Sequence, residues 1–151
     1  GEVLRDVPFE TFLAKLPECR RQCGDRAVLR AFHIYADNDR VAKQVAALRE
    51  GDFSTFLRLV NESGHSSWEY LQNVIPAGYK EHQEMGVTIA AAKHYLNGKG
   101  AVRVHGGGFA GTAQAFVPVE MLADFKKNME AILGEGRCHV LSIRPEGGAV
   151  L

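Results

Sequence analysis

Four glycines fall within six positions in the run Arg103-Val104-His105-Gly106-Gly107-Gly108-Phe109-Ala110-Gly111-Thr112. A β-type run, residues 101–105, leads into them, and a second, residues 112–117, leads out. The cluster therefore reads as a tight strand-to-strand connection and not as a strand-to-helix loop. Glycine reaches positive φ without steric cost and lets another backbone or a ligand come close, at the expense of chain entropy. Two readings stay open at this level. The cluster is the tip of a glycine-rich hairpin, or it exists for close approach to a neighbouring domain or a phosphorylated ligand.

The spacing Gly106-x-Gly108-x-x-Gly111 has the form of a dinucleotide fingerprint. That fingerprint needs a helix starting within the motif, so that a helix N-terminus can hold pyrophosphate. Here Thr112-Ala113-Gln114-Ala115-Phe116-Val117 favours a strand, and Pro118 ends it. A phosphate loop of the Gly-Lys-Ser/Thr type is excluded, because no such tripeptide closes the cluster.

Helical periodicity fills the first two thirds of the chain. Phe9, Phe12, Leu13 and Leu16 share one helical face, with Pro17 expected to stop or turn the chain. A long helix is expected over residues 26–49, with Val41, Val45 and Leu48 as its buried stripe. Gly51 suits the position after it, and Asp52 suits the N-cap of the next helix. That helix carries Phe53, Phe56, Leu57 and Val60 on one face and is expected to break at Ser63-Gly64-His65-Ser66-Ser67. Further helices are expected over residues 84–96 and 119–133, a strand over residues 138–143 and a short last strand at residues 149–151. The order α-β-β-α-β predicts an α+β fold, one domain over residues 1–151. Its expected closure is a small antiparallel sheet of ferredoxin-like type covered by helices.

Eighteen basic residues balance eighteen acidic ones, which argues against a nucleic-acid or anionic-membrane surface. No apolar run approaches the roughly 18 residues of a membrane span. The first residues lack the basic and apolar regions of a secretion signal, and the start without Met fits a fragment or a processed chain. Cys19, Cys23 and Cys138 are an odd, sparse set that suits a reducing compartment. No paired ligand motif accompanies them, so no metal site is expected. Ser66 and Ser67 beside His65 suggest a nucleophile and a base, but adjacent residues rarely achieve that geometry. His33 lies four residues before Asp37 on a helix, so a local hydrogen bond is expected. Asp37-Asn38-Asp39 lacks the spacing of a calcium loop.

Gly106-Gly107-Gly108-Phe109-Ala110-Gly111-Thr112 resembles the third motif of the GHMP small-molecule kinases in its galactokinase form, Gly-Gly-Gly-Phe-Gly-Gly after an Arg-x-Thr strand. Arg103 occupies the arginine position. His105 stands where the family has Thr, Ala110 where it has Gly, and Thr112 where it has Cys. Other segments agree in order. They are Leu4-Arg5-Asp6-Val7, Arg30-Ala31-Phe32-His33-Ile34 with Asp39-Arg40-Val41, Leu48 with Gly51-Asp52, and Leu59-Val60-Asn61-Glu62-Ser63 with His65, where Gly64 reads as an insertion. The segment after Ser67 departs from the family pattern.

The resemblance implies the C-terminal domain of a galactokinase-like sugar kinase. Such an enzyme transfers a phosphoryl group from ATP, with Mg²⁺, to galactose in the cytoplasm. The family's phosphate loop, sugar motif and catalytic aspartate do not occur in this sequence, so no catalytic residue is assigned and the chain is expected to be inactive alone. Its expected partner is an N-terminal kinase domain. Gly106, Gly107, Gly108, Phe109, Ala110, Gly111 and Thr112 would shape the nucleotide and substrate cleft, and Arg103 and His105 are candidates for the cleft or the domain interface. A dimer through the exposed interface, or an apolar patch near residues 106–112, is a further expectation. The alternative is a stand-alone α+β module that binds a small molecule or a protein through the same loop.

Overall fold

The computed structural model describes residues 3–109 and 111–147. Ala110 of the glycine cluster and the expected final strand at residues 149–151 lie outside them. A 3-10 turn, Leu4–Asp6, precedes α1 (Phe9–Ala14) and α2 (Leu16–Cys23). Pro17 sits in the first turn of α2, where its missing N–H has no partner to lose. Phe9 and Phe12 from α1 pack on Phe32 and Tyr35, and the Tyr35 hydroxyl donates to the Val7 carbonyl at 2.8 Å.

Phe32 and Tyr35 belong to α3 (Asp25–Glu50), which ends as the sequence predicts. Gly51 takes a left-handed conformation, φ 72°, and caps it. Asp52 then accepts a hydrogen bond from the Thr55 N–H at 2.9 Å, opening α4 (Phe53–Ser66). The expected stripe on α3 is the opposite of buried, since Val41, Val45 and Leu48 are exposed.

The expected break at Ser63–Ser67 does not occur. Helix α4 runs to Ser66 and continues as a wide π-type turn, Ser67–Leu71. The small residues serve packing instead. A Cβ on Gly64 would lie 3.0 Å from Arg103 Cβ and 3.1 Å from the Val102 carbonyl oxygen. Gly64 therefore lets a strand lie flat against the helix. A π-type turn takes up one residue more than an α-turn.

Helix α5 (Glu84–Leu96) leads to the hairpin of β1 (Ala101–His105) and β2 (Thr112–Phe116). The strands are antiparallel, with Ala101 opposite Phe116, Arg103 opposite Gln114 and His105 opposite Thr112. The main core gathers on one side of β1. Val102 and Val104 pack there with Val74, Ile89, Ala92 and Leu96, and with Phe125 and Met129 of α6 (Leu122–Leu133). The α4 helix covers the other side. The fold is α+β, helix-rich in its first two thirds, with a small antiparallel sheet covered by helices.

Residues 138–143 do not form the expected strand. No hydrogen bond engages the main chain of residues 139–143 among the described residues, and Leu141 and Ile143 are each 86 % exposed. A strand needs an edge to pair with, and this segment lies against none among the described residues.

Candidate functional site at the glycine turn

The turn between β1 and β2 is built on Asn73, which follows the π-type turn and is 3 % exposed. The Phe109 N–H donates to the Asn73 carbonyl at 2.6 Å, and Asn73 Nδ2 donates to the Gly107 carbonyl at 3.3 Å. Gly106, Gly108 and Phe109 all have positive φ, at 70°, 81° and 63°. For phenylalanine that conformation is strained, and the bond to Asn73 holds it in place. A Cβ on Gly108 would lie 2.1 Å from the Asn73 carbonyl oxygen. Gly108 is therefore glycine because Asn73 leaves no room for anything else.

Gly107 and Gly111 have no such reason. Gly107 does not have positive φ. A Cβ on Gly107 would meet nothing within 4 Å, and one on Gly111 would make ordinary contacts from 3.4 Å outward. Nothing in the described fold requires a bare backbone at these two positions. Among the described residues, no acceptor is bonded to the N–H groups of Gly106, Gly107 or Gly108. Successive free N–H groups in a turn of this kind suit an anion. A cavity of about 310 Å³ opens beside the turn, lined by Val74, Pro76, Glu84, Met85, Thr88 and Gly111.

Of the other predicted residues, Thr112 and His105 face each other in register at the base of the turn, and both side chains are exposed. Arg103 turns away from the turn, into the helical layer. Its Nη1 donates to Ser63 Oγ, its Nη2 to Ser67 Oγ at 3.3 Å and its Nε to the Val104 carbonyl at 3.0 Å. Asp37 completes the group, 3.8 Å from Arg103 Nη1, and accepts from Ser63 Oγ at 2.7 Å and Arg40 Nη1 at 2.8 Å. Arg103 thus ties the strand that carries the turn to α3, α4 and the π-type turn.

Ser66 is bonded by His33 rather than by His65, with His33 Nδ1 2.9 Å from Ser66 Oγ and His33 Nε2 3.4 Å from Asp37. Serine, histidine and aspartate stand in the order of a hydrolytic triad, but His33 and Ser66 are each 3 % exposed. No substrate reaches them, and the arrangement braces the helices. Burial holds the His33 imidazole below its ordinary pKa, against the pull of Asp37. A group of three or more metal-ligating side chains is absent among the described residues. No described helix is long and apolar enough to cross a membrane.

Asn73 carries no local signal in the sequence. It lies 34 positions before Gly107, and its role emerges only once the π-type turn has delivered it beneath the hairpin.

Over 126 residues the chain is 31 % identical to a galactokinase of Mannheimia succiniciproducens. It is 30 % identical to one of Glaesserella parasuis serovar 5 and 29 % identical to one of Actinobacillus pleuropneumoniae. The chain is similar to galactokinases over most of its length. Each alignment covers 83 % of this chain but 31 % of the relative, so the chain spans about a third of the length of the galactokinases it matches. No family model matches the chain.

Proposed function

We propose that this chain is the C-terminal domain of a galactokinase-like GHMP kinase and that the whole enzyme phosphorylates galactose in the cytoplasm. The observation that carries this reading is Gly107, a glycine with room for a side chain and no positive φ, beside N–H groups that meet no acceptor among the described residues at the tip of a braced hairpin. The need for a bare backbone there lies outside the chain, in a ligand or a domain that comes close. Gly106, Gly107, Gly108, Phe109, Ala110, Gly111 and Thr112 line the nucleotide and substrate cleft in this reading.

The turn's N–H groups fit a phosphate, and His105 offers a hydrogen bond to a phosphate or a sugar hydroxyl. Mg-ATP supplies the transferable phosphoryl group. This chain supplies position and backbone dipoles, the terms on which phosphoryl transfer mainly depends. The catalytic residues belong to an N-terminal domain, and the chain alone is inactive. A second reading, a stand-alone small-molecule module, draws on the cavity beside Gly111, which needs no other domain to form its walls.

A chimera separates the two. The 126 aligned residues of the Mannheimia succiniciproducens galactokinase are replaced by those of this chain, and ATP-dependent phosphorylation of galactose is assayed. The kinase reading expects turnover by the chimera and none by the chain alone. A folded chimera that binds ATP and galactose without turnover contradicts it.

A further inference from the structure

Asn73 grips two successive peptides of the glycine turn, and the grip fixes which way each one faces. Its Nδ2 donates to the Gly107 carbonyl at 3.3 Å, and its own carbonyl accepts from the Phe109 N–H at 2.6 Å. The described peptide bonds are all trans, and a trans peptide is planar with its C=O and N–H pointing in opposite directions. A Gly107 carbonyl drawn toward Asn73 therefore turns the Gly108 N–H away from Asn73. Asn73 is buried beneath the hairpin, so away from it is outward. The Phe109 N–H, drawn inward, likewise turns the Gly108 carbonyl out, and that oxygen lies beside Gly111, 3.4 Å from where a Cβ would stand. Asn73 is itself held. Gln72 before it takes a left-handed conformation, φ 56°, and its N–H donates to the Ser67 carbonyl at 2.8 Å.

We propose that Asn73 is a positioning residue for phosphoryl transfer. Its carboxamide sets the plane of the Gly107–Gly108 peptide, so that the Gly108 N–H is presented to a phosphoryl oxygen. The inference rests on the proposed function. A peptide flanked by glycine on both sides turns over at little steric cost, so without an anchor its dipole has no fixed direction. A donor contributes most to a developing charge when it is aimed beforehand. The isosteric change Asn73→Asp reverses the aim. It keeps the main-chain bond to Phe109 and puts an acceptor where the donor to Gly107 stood. The peptide then turns over, the Gly108 N–H donates inward to the new carboxylate, and the Gly107 carbonyl faces the phosphoryl group.

Two measurements test this. In this chain alone, amide exchange followed by NMR should show the Gly108 N–H exchanging as exposed backbone, and Asn73→Asp should slow it at least about tenfold while leaving β1 unchanged. A merely structural loss would instead speed exchange along β1. Gly108 exchange that is unchanged or faster in Asn73→Asp overturns the assigned peptide plane. In the galactokinase chimera, Asn73→Asp should lower kcat at least about tenfold and leave KM for galactose within about threefold. Should Asn73→Asp not fold, Asn73→Ala, which removes the donor and adds no acceptor, should lower kcat about tenfold with β1 exchange unchanged. In an active chimera, a kcat that both variants leave within about twofold, or an effect confined to KM for galactose, overturns the role of Asn73 while the kinase reading stands. A folded chimera without turnover overturns both.

Discussion

Gly107 and Gly108 are adjacent, yet the fold makes opposite demands on them. Gly108→Ala adds a Cβ 2.1 Å from the Asn73 carbonyl oxygen at a φ of 81°, so it should lower stability by more than about 1 kcal/mol in urea unfolding. Gly107→Ala meets nothing within 4 Å and should stay within about 0.5 kcal/mol of the parent. Equal losses for the two would contradict the geometry. His33 makes a prediction about pH. Burial lowers its pKa in the fold, while the unfolded chain titrates near about 6.5. Below that pH the unfolded state binds more protons than the folded one, so stability should fall as the pH drops from about 6.5 through the lower, folded value. His33→Gln should flatten that part of the profile of urea midpoint against pH; an unchanged slope would mean that another group is responsible. Burial also raises the pKa of the Cys138 thiol, helped by nearby Glu130. Iodoacetamide should label exposed Cys23 before Cys138, as read by peptide mass.

Among the elements, the hairpin was legible because glycine and β-branched or aromatic residues constrain the backbone locally. The same holds for Gly51 and Asp52, whose capping roles depend only on the helix ends they join. The continuation of α4 was not legible. Glycine and serine signal a break when read along the chain, and only the strand lying 3.0 Å from the missing Gly64 Cβ reveals why small residues are needed there. Asn73 was missed for a related reason, since its partners are distant in sequence. The strand at residues 138–143 was read from propensity, which says that a segment suits a sheet but not that the chain contains the other strand. Arg103 is the side chain on which the hairpin's attachment depends most. Arg103→Met removes its bonds to Ser63, Ser67 and the Val104 carbonyl and should cost about 2 kcal/mol. It should also loosen the turn, seen as faster exchange of the β1 amides. Unchanged exchange would show that the core side of β1 holds the strand unaided.

At the scale of the molecule, exposed apolar side chains are spread over the described surface, and two groups of them are contiguous in the chain or on one helix face. One is the outer face of α3, where Ile34, Val41, Val45 and Leu48 follow helical spacing, and the other is residues 140–143. At the glycine turn, Phe109 is the one large apolar side chain exposed among the described residues. Apolar exposure on this scale marks surfaces that a partner covers, in keeping with a domain that completes its fold in a longer protein. The chain alone should therefore bind a hydrophobic dye and self-associate as its concentration rises, which light scattering after size exclusion would measure. A dye-free monomer at every concentration would contradict that picture. The most direct test of the central claim, that the glycine turn serves a reacting partner outside this chain, is the Gly107→Ala substitution in the galactokinase chimera. The account predicts an unchanged unfolding midpoint with kcat/KM for galactose phosphorylation reduced at least about tenfold, because a cleft-lining backbone has been pushed from its place. Full activity with full stability would contradict it.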